Sequence, residues 1–364
     1  MLNDMVNQTK SPAHPARYRP ILSPGIVGRA VAAISIQSSL MLSALLLIMV
    51  LRPLAMTHKV EISPDNVFVR PFGNPDDALT RIQQENFTTV ENLDELANNP
   101  DLNSLERLVY QYAPLILTTS DDFPRSDDTF IGVYYLASET VGEESTVSTI
   151  RYFFFSTDEN GGTLIRKRLA LFGQPIDREL IYRLTIIDGN VTAAYFQAPG
   201  HHLTPYEFPE GSRPIFTIAS ANHNFRPVPA TELERRLDYR ILTPFPHHEL
   251  RSDPAHDPDF VALAAQEAMA QHGVNLSEYL YVEFQNPVHN GLTTISVRIN
   301  GRWYYLHNSI AGITRPGYNQ AGIYLGFAPD PETIGEMWLV AFTDRPIDLE
   351  VISIYIYPSI DVAA

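Results

Sequence analysis

Apolar and polar positions divide the chain into one long uncharged run near its start and, beyond it, short segments whose period alternates between two and about 3.6 residues. From Ala30 to Leu51 the sequence reads AVAAISIQSSLMLSALLLIMVL, without a charge. As one helix at about 1.5 Å per residue it covers about 30 Å, the thickness of a hydrocarbon core. This predicts a single-pass transmembrane helix over residues 29–52, retained as a signal-anchor because Arg52-Pro53-Leu54-Ala55-Met56 makes a poor cleavage site. Residues 1–28, with prolines at 12, 15, 20 and 24, read as a disordered tail, and residues 53–100, polar and turn-rich, as a stalk.

Past the stalk, Leu102, Leu105, Leu108, Val109 and Tyr112 recur at helical steps until Pro114 stops them. The period then shortens. Residues 129–137, 148–156 and 180–187 are rich in β-branched and aromatic side chains, and Asp188-Gly189 separates LIYRLTII from NVTAAYF as a hairpin turn. A connector over residues 231–275 holds a helix with Asp257 as N-cap, Pro258 at its first position and Gly273 as its stop. Residues 276–364 return to strands, with Asn300-Gly301 joining TTISVRI to RWYYLHN. The fold expected is mainly β: the transmembrane helix, then a β-sandwich ectodomain, either one composite sandwich or two (residues 101–230 and 276–364), with a few helices.

Charge narrows the partners. Of 26 basic and 42 acidic residues, four and one precede residue 30, so everything beyond is strongly acidic. Nucleic acid, which needs clustered Lys and Arg, is excluded as a partner. Lys10, Arg17, Arg19 and Arg29 before the apolar run favour a cytoplasmic N-terminus, a cell-membrane location and an extracytoplasmic C-terminal part. The expected partners are the lipid bilayer, through Ala30 to Leu51, and other membrane or surface proteins. With no cysteine, the fold has neither disulfides nor thiolate chemistry.

No nucleotide, zinc-protease or hydrolase-elbow motif occurs. The densest candidate chemistry is Asp177 and Glu179, two apart on a strand and therefore on one face, with His223 from a later segment. Two carboxylates and an imidazole suit Ca²⁺ or Mg²⁺, or acid–base work; paired solvent-facing residues are the bland alternative. His201-His202 form a second ligand source, and Trp303 with Tyr305 a stacking platform for sugar.

The order YAPLILTTSDDFP, IRYFFFSTDENGG, GQPIDRELIYRLTI, AYFQAPGHH and RPIFTIASANHNF resembles the Vps62-like proteins and, more distantly, the necrosis-inducing-protein family. It covers about a third of the chain, from Tyr112 to near Pro229. The resemblance implies a β-sandwich and places the family's Gly-x-x-His-Asp-Trp-Glu block, which in the necrosis-inducing proteins helps hold a divalent cation used on membrane glycolipid, on residues 173–179. Here Gly173, Asp177 and Glu179 are kept, and His223 matches the later histidine, but the block's histidines are Gln174 and Ile176 and its tryptophan is Arg178. Loss of imidazoles favours a metal-free relative without a cofactor. The sequence therefore points to a non-catalytic binding or structural role, as an accessory component of a membrane or cell-surface assembly. Two alternatives stand beside it: a metal-dependent glycolipid-binding effector or surface hydrolase using Asp177, Glu179 and His223, and a carbohydrate-binding module in the C-terminal domain.

Overall fold

The computed structural model describes residues 54–85, 90–118, 128–158, 165–207, 213–220, 222–235, 240–241, 248–249, 254–288, 291–306, 313–343 and 349–359. The expected membrane-spanning helix is corrected. Among the described residues no helix is long and apolar enough to cross a membrane. The longest of them, Pro258–His272, has 15 residues, about 22 Å against a hydrocarbon core of about 30 Å. Residues 30–51 lie outside the described residues, as does the tail expected over 1–28. The fold class is therefore a mainly β architecture with several sheets.

The segment expected as a stalk is built into the body of the protein. It supplies β1 (Leu54–Glu61) and β2 (Val67–Val69), followed by the helices Pro75–Glu85 and Val90–Ala97. A third helix, Ser104–Gln111, starts on a capping box in which Asn103 and Glu106 satisfy each other's backbone N–H groups.

Ten strands follow: β3 (Leu115–Thr118), β4 (Phe130–Val141), β5 (Thr146–Ser156), β6 (Asp177–Ile187), β7 (Asn190–Ala198), β8 (His202–Pro205), β9 (Ile215–Ile218), β10 (Phe225–Pro227), β11 (Arg240–Ile241) and β12 (His248–Glu249). They make a six-stranded sheet, β12-β4-β5-β6-β7-β8, and a four-stranded sheet, β10-β9-β3-β11. Phe130, Tyr152, Phe154, Tyr182, Phe216 and Phe225 fill the core between them. The last six are β13 (Tyr279–Asn286), β14 (Leu292–Ile299), β15 (Arg302–Tyr305), β16 (Gly317–Tyr324), β17 (Ile334–Thr343) and β18 (Glu350–Ile356). These form two four-stranded sheets, β1-β17-β14-β15 and β16-β13-β18-β2, closed over Leu280, Phe284, Val297, Leu339 and Ile354.

The two β regions thus have separate cores, and a third core joins them. On β13, Leu280, Val282 and Phe284 face the second sandwich while Tyr279 and Tyr281 face the other way, onto the Pro258–His272 helix. On β4, Ile131 and Tyr134 likewise turn away from Val133 and Tyr135 towards the same helix. A strand buried on both faces cannot alternate apolar and polar, which is why YLYV and FIGVYY are continuously apolar. The order of layers is sheet, sheet, helices, sheet, sheet. A helix at Ile165–Phe172 packs on β16, where a Cβ at Gly322 would lie 2.9 Å from the Leu169 carbonyl and one at Gly173 (φ +63°) 2.8 Å from the Cβ of Gln320. This close approach sets the wall of a cleft between the sandwiches.

β1 runs antiparallel to β17 over eight residues and β2 parallel to β18. Arg70 then anchors the chain, 2.6 Å from Glu283 and stacked 3.5 Å over the Tyr355 ring. Hydrogen exchange on the full chain is expected to show the amides of β1 and β2 that point into these ladders protected alongside those of β17 and β18; exchange at the rate of a free linker would refute the pairing.

Candidate functional site

β6 begins opposite the end of β5, with Asp177 paired to Ser156. Asp177 and Glu179 are both buried and Arg178 between them is exposed, as the strand period requires. They meet the turn from β9 to β10, where His223 adopts φ +47°. Two other left-handed non-glycine positions, Asp188 and Asn300, open Asp-Gly and Asn-Gly hairpins. His223 has no such turn chemistry behind it and is held from outside. Its Nδ1 lies 2.9 Å from Asp177 Oδ2 and its Nε2 2.9 Å from Asp128 Oδ2, with the ring 1 % exposed. Ser156 Oγ stands 3.2 Å from Nδ1 and donates to the Asp158 carbonyl.

Burial alone would lower the His223 pKa, but hydrogen bonds to Asp128 and Asp177 outweigh it and raise it to about 10. Burial raises Asp128, against the opposing pull of His223. The ring is therefore an imidazolium donating both N–H groups to carboxylates. Ser156, His223 and Asp128 have the connectivity of a nucleophile, base and orienting acid, yet the histidine has no vacant nitrogen for the serine proton, and all three are buried away from any substrate. The same ring occupies the space between the acids that a cation would need. Among the described residues no group of three or more His, Asp or Glu side chains is placed to hold a metal ion.

Glu179 belongs to a separate amide cluster. It accepts from Gln197, from Asn222 Nδ2 at 3.3 Å and from Asn224 Nδ2 at 3.3 Å. His201, also left-handed at φ +61°, places Nδ1 3.4 Å from Glu179; burial lowers its pKa. The structure thus joins Asp177 to His223 and Glu179 to His201, but does not gather the expected trio around one point. His202 is exposed on β8. Trp303 and Tyr305 lie on β15, in the outer sheet of the second sandwich.

Next to these clusters opens a cleft of about 490 Å³, walled by the Ile165–Phe172 helix, the start of β6 and β16. Gln174 and Arg178, where the resembled block has histidine and tryptophan, line it, as does Ile176 from the edge of the middle core. Arg315 stacks 4.4 Å over Phe172, and burial together with the neighbouring Arg178 lowers its pKa. Arg168 lies in the wall and pairs Nη2 with Asp158 Oδ1 at 2.8 Å. No family model, curated protein or solved structure matches the chain.

Asp128 and Arg168 escaped the sequence reading. Nothing marks Asp128 among the acids of SDDTF. Arg168 had a signal: with Ile165, Leu169 and Phe172 it occupies an i, i+3, i+4, i+7 stripe, where a charge points inward.

A raised folded-state pKa means that His223 stabilises the fold fully below its ordinary value of 6.5 and that this contribution is lost as pH rises towards about 10. Thermal stability is expected to fall across that interval. His223→Asn, which tolerates the left-handed backbone, is expected to cost about 3–5 kcal/mol at pH 7 and to flatten the decline, because Asp128 and Asp177 are left without their cation. A variant whose pH profile runs parallel to the parent would contradict the ion triad.

Proposed function

We propose that the chain is a non-catalytic binding protein whose ligand occupies the cleft between its two sandwiches. The contrast between its polar regions carries this reading. The His223 cluster is closed and internally paired, whereas the cleft is lined by the cations Arg178 and Arg315 and by the polar groups of Gln174, Gln197 and Tyr318. Such a concave site with a few convergent polar groups is how proteins hold small molecules. The substitutions in the 173–179 block support an accessory role over a metal-dependent one.

Gln174→Trp would fill the cleft from a partly exposed position. In a thermal-shift screen of charged and neutral metabolites on the full chain, hits are expected to stabilise the parent and to lose that effect in Gln174→Trp. Hits that stabilise both proteins alike would place binding elsewhere.

One observation favours a second reading. Both tryptophans of the chain, Trp303 and Trp338, meet edge to face at 5.3 Å on the outer sheet. On β14, Ser296 pairs with Trp338 of β17 on one side and Tyr305 of β15 on the other. The two aromatic positions stand about 10 Å apart, a spacing suited to alternate rings of a polysaccharide chain, and Tyr305 is 62 % exposed. Since all the indole fluorescence comes from this face, a saturable emission change with oligosaccharides would support it, and an unchanged spectrum would remove it.

A further inference from the structure

Arg168 is answered only in part by the fold, through Nη2 on Asp158. It is 1 % exposed, yet its Nε and Nη1 have no hydrogen-bond partner among the described residues and are closed off from solvent. A guanidinium carries five N–H donors, and each one buried unpaired costs about 1–3 kcal/mol. Its carboxylate cannot serve it better, because Asp158 Oδ2 lies 2.6 Å from His272 Nε2. The other acids nearby are engaged as well: Asp177 with His223, and Glu179 with Gln197, Asn222 and Asn224. The cleft is therefore lined by three arginines, Arg168, Arg178 and Arg315, and by two carboxylates, of which Asp177 is paired with His223 and Glu179 is held by neutral amides.

We propose that the cleft binds the oxyanion of an acidic ligand, a phosphate or a carboxylate, on the unused donors of Arg168, with Arg178 and Arg315 completing the charge at its rim. The proposal rests on reading the cleft as the ligand site. Phosphate and carboxylate both match the planar donor geometry of arginine, and a small shift of the guanidinium into the cleft it lines brings Nε and Nη1 to the anion. In a cleft of this volume the remaining amides and Tyr318 face the ligand body, so a sugar acid or sugar phosphate is the class that fits.

The test is calorimetric titration of the full chain with inorganic phosphate, glucuronate and, as the neutral control, glucose, at constant ionic strength. Saturable heat with phosphate or glucuronate and none with glucose is expected, and the two anions separate the phosphate source from the carboxylate source. Arg315→Gln at the rim is expected to weaken the binding at least tenfold. Arg168→Lys, which keeps the charge for Asp158 but removes the fork, is expected to abolish it, with a circular dichroism spectrum unchanged from the parent. Heat that survives both substitutions, equal responses to every anion including chloride, or no response to any anion would each overturn the oxyanion site. Glucose binding that is lost in Gln174→Trp and indifferent to Arg168→Lys would overturn the oxyanion while leaving the cleft as the ligand site.

Discussion

The imidazolium of His223, clamped between Asp128 and Asp177, is the interaction on which the first sandwich turns. It joins the β9–β10 turn of one sheet to the head of β6 and the entry to β4 in the other, at the rim of their shared core. Buried ion pairs contribute little beyond a well-packed apolar substitute, but breaking one is costly, so such a cluster specifies an arrangement more than it strengthens it. Here the arrangement specified is the left-handed backbone at His223 and the inward aim of Asp177. Around it runs a wider polar belt: Asp128 accepts the Asp158 amide at 3.1 Å, and Glu267, raised by burial, accepts from Thr129 and Thr157.

That belt separates two kinds of polar chemistry. Inside, His223 gives both ring nitrogens to carboxylates, which removes the vacant nitrogen that nucleophilic catalysis requires and fills the space between the two acids. At the cleft, a short helix docked on β16 through Gly173 and Gly322 brings cations from three elements to one wall. Both conditions follow from the middle core, in which the Pro258–His272 helix and the outward tyrosines of β13 and β18 fix one sandwich against the other.

Much of this was legible in the sequence where local chemistry decides structure. Asp257 caps the Pro258–His272 helix and Gly273, at φ +59°, ends it; Asp188-Gly189 and Asn300-Gly301 take positive φ at both positions, as two-residue hairpins demand. The i, i+2 rule put Asp177 and Glu179 on one face. It could not say that the face is interior, or that partners from distant loops would divide the two acids between clusters. β1 was illegible because an edge strand, LAMTHKVE, is polar on its open side and draws its order from β17, nearly three hundred residues away. The short helix at Ile165–Phe172 was hidden by three basic residues in eight, one of which proved to be buried.

The most direct measurement of the central claim is the protonation of His223 by ¹⁵N NMR of the imidazole ring in the full chain at pH 8. Both ring nitrogens are expected to carry protons and to keep them past pH 9, as a ring clamped by Asp128 and Asp177 must. A neutral ring titrating near the ordinary histidine value would show that the clamp is absent, reopening the site to base catalysis or metal binding.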